Sequence, residues 1–179
     1  MIPSNREADL LRQLQGTSEA VRRAAASELF ELTYPALFQV ALRMTGSPEL
    51  ADEAVQETFV RVLRSIREFR GGAKLSTWVF RIGLREALRA KGRVGQKFVE
   101  LPNNLRSDHS DPGQTCANAE AAARILDAIA GLPESQRAVV SLAAIEELPQ
   151  TEIARILGIP VGTVYSRLST AREQLRAKL

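Results

Sequence analysis

The chain has 179 residues, a formal net charge of +3, 45% hydrophobic and 25% charged residues. That supports one ordinary domain or two small ones and is too apolar for a disordered chain. A single cysteine, Cys116, and a single histidine, His109, exclude a disulfide framework and leave little from which to build a Cys/His metal site or a Ser/His/Asp triad. No apolar run reaches the ~18 residues of a membrane span, and Met1 to Glu7 lacks the apolar core of a signal peptide. The expectation is a cytoplasmic protein without membrane insertion, catalytic residues, metal or cofactor.

The pattern is helical almost throughout. Leu10, Leu11 and Leu14 predict a short opening helix ending near Gly16. Thr17 or Ser18 is placed to cap a long second helix with apolar positions Val21, Ala25, Leu29, Phe30, Leu37, Val40, Ala41 and Met44. Pro35 is expected to kink it or split it in two. Ser47-Pro48 is a helix start, with serine at the N-cap and proline at the first helical position. The helix that follows carries Leu50, Ala54, Val55, Phe59, Val62, Leu63 and Ile66, with acids early and arginines late. Arg70-Gly71-Gly72-Ala73-Lys74 breaks it. Ser76 or Thr77 is expected to cap a further helix with Trp78, Val79, Ile82, Leu84 and Leu88. Phe80 is expected in the core, and Trp78 is placed to pack there as well.

From Gly92 to Gln114 the helical pattern fails, and a stretch this long predicts a linker between domains rather than an internal loop. Cys116 and His109 are read as solvent-facing bystanders. Four helices are predicted beyond it, near Asn118 to Ala130, Glu134 to Ile145, Gln150 to Leu157, and from Val161. The fold class is all-α: two small helical domains over 1–94 and 118–179, joined by an irregular linker over 95–117.

The charge is unevenly placed. Between Arg61 and Arg93 ten basic residues face only Glu68 and Glu86, a local excess of +8. Glu49, Asp52, Glu53 and Glu57 just upstream have no base among them. Such a field suits a polyanion that the whole-chain charge would hide.

The C-terminal segment has the pattern of a helix-turn-helix. Ala154 supplies the small residue where two helices cross, and Gly158 tolerates positive φ in the turn. Val164 and Leu168 face Ile153, Leu157 and Ile159. Thr163, Tyr165, Ser166, Arg167, Ser169 and Thr170 lie on or near the outer face of the second helix, with Arg172 further along. These side chains donate to phosphates and base edges, and no acid lies between Val161 and Arg172 to repel DNA. A helical hairpin with no DNA role is the simpler alternative.

At this point the chain resembles a bacterial RNA polymerase sigma factor of the extracytoplasmic-function (ECF) type. One block resembles the sigma-2 domain: Ala51 to Phe59, then Phe69-Arg70-Gly71-Gly72, then Ser76-Thr77-Trp78-Val79-Phe80-Arg81-Ile82. The other resembles sigma-4: Leu132-Pro133-Glu134 with Arg137, Glu152-Ile153-Ala154, Ile159 to Val164, Ser166-Arg167-Leu168 and Ala171-Arg172-Glu173. The resemblance implies that Asp52, Glu53, Gln56 and Glu57 dock on core RNA polymerase, with Asp52, Gln56 and Glu57 sharing a face. It implies that the loop near Arg70 to Ser76 captures a base flipped from the −10 element. Arg70, Lys74, Ser76, Trp78, Arg81, Arg85 and Arg89 would then contact promoter DNA there. Thr163, Tyr165, Ser166, Arg167, Ser169, Thr170 and Arg172 would read the −35 element, and an anti-sigma factor would control the protein.

Arg85 and Arg89 stand where the family usually has Asn and Asp, and Tyr165 and Thr170 where relatives often have basic residues. These departures keep a second expectation open, a sigma-like module that sequesters an anti-sigma protein without binding DNA. A stand-alone helix-turn-helix regulator is a third, and it leaves the acidic helix and the basic segment unexplained.

Overall fold

The computed structural model describes residues 2, 4–97, 115–145 and 148–179, and among them all regular structure is helical. Helices α1 (Ser4–Gln15), α2 (Glu19–Thr45), α3 (Pro48–Ser65) and α4 (Leu75–Lys97), with a 3₁₀ turn at Ile66–Glu68, form the first bundle. Helices α5 (Thr115–Ala130), α6 (Glu134–Ala143), α7 (Gln150–Leu157) and α8 (Val161–Arg176) form the second.

Local chemistry sets the joints. Gly46 closes α2 at φ 77°, and its N–H returns to Leu42 O at 2.8 Å. One residue later Ser47 caps α3 by accepting the Leu50 N–H at 3.3 Å, with Pro48 in the first turn. Leu10, Leu14, Leu29, Leu37, Val55, Val62 and Val79 are all but fully buried between the four helices. Gly83 lets α4 approach α2: a Cβ there would stand 2.3 Å from Leu37 Cδ1.

Pro35 does not divide α2, which runs unbroken from Glu19 to Thr45. Pro35 and Glu31, whose carbonyl loses its i+4 donor, both lie on the solvent side, where the orphaned group is open to water. Val21, Phe30 and Leu63, at apolar positions of the predicted helices, are exposed at 45%, 38% and 49%. Phe80 is buried, as the pattern predicts, and Trp78 is half-buried.

Several helix ends differ from expectation, and the stretch 95–117 read as irregular linker is helical at both its ends, at 95–97 in α4 and 115–117 in α5. Neither Ser76 nor Thr77 is the cap of α4, which starts at Leu75 with the Lys74 carbonyl accepting from Trp78 N–H. The helix then continues past Gly92 to Lys97, because glycine in a helix costs only about 1 kcal/mol and this end adds to a long helix already nucleated. His109 lies outside the described residues, as does the side chain of Cys116.

The helix-turn-helix forms as the pattern requires. Gly158 sits at φ 68°, and Ala154 is buried at the crossing. Ile153, Ile156, Val164, Leu168 and Ala171 make the core, with Leu157 and Ile159 half-buried at its edge. The second bundle packs on the first, with α6 against α2 and α7 against α4. The buried Arg137 guanidinium joins them. It donates to Ala130 O at 2.7 Å and Leu132 O at 2.8 Å within its own bundle, and to Met44 O at 3.3 Å at the end of α2. Lys91 also donates to Met44 O, at 3.3 Å. Its pKa is pushed down, first by burial and then by the neighbouring Arg137 charge.

Candidate nucleic-acid interface

Half of the basic run gathers in one groove. Helices α3 and α4 lie side by side, and a cavity of about 590 Å³ opens between them beside the 66–70 turn. Arg61, Arg64, Arg70, Arg85 and Arg89 line it, with Phe69, Trp78 and Ile82 as apolar wall. The rings of Phe69 and Trp78 lie 4.9 Å apart at 36°. Two acids, Glu68 and Glu86, share the lining. Guanidiniums around an aromatic wall can hold a phosphodiester backbone while a base stacks.

Glu86 organises this groove. Its side chain is 4% exposed, and Oε1 receives Arg61 Nε at 3.0 Å and Arg89 Nη1 at 2.7 Å. Arg61 also pairs with Glu57 at 3.1 Å. Two cations are thereby held at fixed places in the groove lining. Sequence reasoning counted Glu86 only as an opposing charge, because nothing in the pattern says that it is buried.

The residues predicted for the −10 element divide. Arg70, Trp78, Arg85 and Arg89 meet in the groove, joined by Arg61 and Arg64. Ser76 is buried outside it, bonded to Glu7 of α1. Lys74 stands 3.9 Å from Glu152, and Arg81 donates to Arg155 O at 2.5 Å, so both face the second bundle.

The acidic helix also divides. Gln56 Nε2 donates to Asp52 Oδ2 at 2.6 Å, and Tyr34 Oη approaches Asp52 Oδ1 at 3.5 Å. Glu53 and Glu57 turn the other way, toward Arg93 at 3.0 Å and Arg61 at 3.1 Å. The expectation that Asp52, Gln56 and Glu57 share a face is therefore corrected. At about 100° per residue, Gln56 lies about 40° from Asp52 and Glu57 about 140°. Beside Asp52 an aromatic ladder runs along α2, with ring centroids 5.8 Å apart for Tyr34–Phe38, 4.9 Å for Phe30–Tyr34 and 4.7 Å for Phe30–Phe59.

On α8 the buried stripe is Val164, Leu168 and Ala171. Tyr165, Ser169 and Arg172 flank one side of it, and Thr163 and Arg167 the other, with Ser166 and Thr170 outermost. Tyr165 is 57% exposed. Ser166 and Thr170 donate to Thr163 O and Ser166 O, both at 3.1 Å, so each hydroxyl oxygen remains free to accept. Arg167 lines a cleft with Arg81 and Arg85 on the side of α4.

Comparison with known proteins agrees with this architecture. Residues 29–95 match the family described as Sigma-70 region 2, and residues 122–175 the family described as Sigma-70, region 4. The ECF RNA polymerase sigma factor SigW of Bacillus subtilis is 30% identical over 166 residues, covering 87% of this chain and 89% of that protein. The ECF RNA polymerase sigma factor EcfG of Rhodopseudomonas palustris is 35% identical over 147 residues, with 81% and 80% covered. The structure of CnrH in complex with the cytosolic domain of CnrY superposes with a TM-score of 0.73 at 25% identity, covering 96% of this chain and 95% of that one. The sigma factor RpoE of Bartonella quintana, solved with the anti-sigma factor NepR, shares the fold at a TM-score of 0.63 and 24% identity, with 84% and 94% covered. With both sigma-70 regions present in order, and full-length relatives matched along most of their length, the chain belongs to the ECF family of RNA polymerase sigma factors.

Proposed function

We propose that residues 1–94 dock on core RNA polymerase and hold the opened −10 strand, that 118–179 read the −35 duplex through α8, and that 95–117 join the two readers. The observation that carries this reading is the gathering of Arg61, Arg64, Arg70, Arg85 and Arg89 around the Phe69–Trp78 wall. Five cations beside a pair of tilted aromatic rings suit a single strand with unpaired bases. The docking face is Asp52 and Gln56 with the neighbouring aromatic ladder, while Glu53 and Glu57 steady α3 against α4 and the Arg61 side chain. The protein performs no reaction of its own and acts in the cytoplasm. Among the described residues no helix is long and apolar enough to cross a membrane. Control by an anti-sigma factor is part of this reading; two structures with the same fold are complexes, of CnrH with CnrY and of RpoE with the anti-sigma factor NepR.

The closed packing of the two bundles bears on mechanism. Promoter elements centred near −10 and −35 lie about 25 base pairs apart, or about 85 Å at ~3.4 Å per pair. Helix α7 touches α4 directly, so the promoter-bound form requires the bundles to separate. Transcription from candidate promoters by bacterial core polymerase with the purified chain tests the reading. Promoter-dependent transcripts are expected. Tight capture of an anti-sigma protein with no polymerase binding would favour the sequestering module instead. For docking, Asp52→Ala with Gln56→Ala is expected to weaken polymerase affinity, and an unchanged affinity would remove this face from the interface.

A further inference from the structure

The first helix reaches both ends of the loop that follows α3. At one end Glu7, 7% exposed, accepts from Ser76 N at 3.2 Å and also from the Ser76 hydroxyl. Helix α4 has no acid in its first turn and has a lysine before it, so its orphan donors and positive dipole end lack a local partner. Glu7 supplies that partner from 69 residues away. At the other end Gln15 Nε2 donates to Ile66 O at 2.9 Å and Phe69 O at 2.8 Å. Between these contacts Leu10 and Leu14 anchor α1 in the core. Arg6 pairs with Glu28 of α2, its Nε to Oε1 at 2.6 Å, fixing where α1 sits along the bundle.

We propose that α1 is a ruler for the 69–75 loop, and that Glu7 and Gln15 are positioning residues for −10 base selection. Glu7 and Gln15 stand eight positions apart along the helix, about 12 Å of rigid rise at 1.5 Å per residue. Gln15 holds the side of the loop that carries Phe69, and Glu7 the side that carries Ser76 and, two residues on, Trp78. The two rings of the groove wall are thus each tied to one end of the same helix. A loop that contains Gly71-Gly72, with Gly71 at φ 76°, has little stiffness of its own. A base entering beside Phe69 and Trp78 meets a gap whose width α1 sets. Discrimination between bases needs such a preformed gap, since a compliant one accepts each base about equally. This inference rests on the proposed role of the loop in capturing a −10 base.

The test uses the full chain with bacterial core polymerase. A promoter is first selected from a library randomised at −35 and −10 by transcription with the wild-type protein. Transcription is then measured on templates changed one −10 base at a time, alongside −35 duplex affinity and polymerase affinity. Gln15→Glu keeps the shape of an exposed side chain but removes the donor and sets a charge against two carbonyls. It is expected to reduce the preference for the selected −10 base about three- to tenfold, the loss of one to two hydrogen bonds, with both affinities within about twofold of wild type. Glu7→Ala should act alike, and Glu7→Gln, which retains an acceptor for Ser76, should restore most of the preference. Arg70→Ala and removal of Gly72 probe the loop directly. If they alter −10 preference while Gln15→Glu and Glu7→Ala do not, the ruler is overturned and the loop assignment stands. If the loop variants also leave preference unchanged, the loop assignment falls and the ruler with it. An equal loss of transcription on all templates and of both affinities would make α1 merely structural and overturn the proposal.

Discussion

Thr77 Oγ1 donates a 2.7 Å hydrogen bond to Glu152 Oε2, joining the first turn of α4 to helix α7 across 75 residues. Both side chains are buried, at 3% exposure each. The other carboxylate oxygen holds Arg155 Nη1 at 2.5 Å, with Lys74 Nζ at 3.9 Å. The contact therefore ties the helix-turn-helix to the segment proposed for −10 opening, and the proposed mechanism has it break when both promoter elements are engaged. A hydrogen bond to a charged group contributes about 1.5–3 kcal/mol. Glu152→Ala is therefore expected to raise the open-to-closed ratio of the free chain roughly ten- to a hundredfold. Fluorescence transfer between labels on α2 and α8 measures it. An unchanged distance distribution would mean that the α2–α6 packing holds the bundles alone.

Arg85 and Arg89 occupy one groove but in different states. Arg89 is held by Glu86, whereas Arg85 makes no ion pair among the described residues. Arg85→Ala is expected to lower the salt dependence of −10 single-strand binding by about 0.7 in the log–log slope, one phosphate contact on a single strand. Glu86→Gln should leave that slope nearly intact but release Arg61 and Arg89, weakening strand binding at every salt concentration. Equal slopes for wild type and Arg85→Ala, measured by polymerase-dependent strand binding, would remove Arg85 from the phosphate contacts.

Tyr165 and Arg172 flank the same side of α8. Arg172→Ala is expected to reduce the salt slope of −35 duplex binding by about 0.9, and Tyr165→Lys to raise it by a similar amount. Duplex titration at several salt concentrations checks both. If neither substitution moves the slope, the opposite flank with Thr163 and Arg167 carries the phosphate contacts.

Gly83 faces Leu37, which is 1% exposed, with 2.3 Å between an added Cβ and Leu37 Cδ1. Overpacking a core costs about 1–3 kcal/mol, while alanine in place of a helical glycine returns about 1 kcal/mol. Gly83→Ala is therefore expected to lower stability by up to about 2 kcal/mol in denaturant unfolding. Leu37→Ala alone costs about 2–5 kcal/mol through its cavity. The double variant should be more stable than the two losses added together, because the new methyl enters the space that Leu37 leaves. Strict additivity would show that the two sites do not share a contact.

Helix order, the Ser47-Pro48 start, the Gly158 turn and the core of the helix-turn-helix were all legible in the sequence, because each depends on residues within one or two turns of each other. Family membership was legible for the same reason, as two blocks of local motif in order. What the sequence left open required knowing which helices pack together. The α3–α4 pairing turned a run of arginines into a groove and buried Glu86 between two of them. The same pairing gave Glu53 a partner in Arg93 of α4, whereas the place of Glu57 on another face of α3 from Asp52 follows from helix geometry alone. The cap of α4 comes from Glu7, far up the chain, and no serine beside the helix supplies it. Periodicity records which face of a helix is apolar, but it carries no information about which distant side chain arrives there, and hydrogen bonds and ion pairs between helices are decided by that arrival.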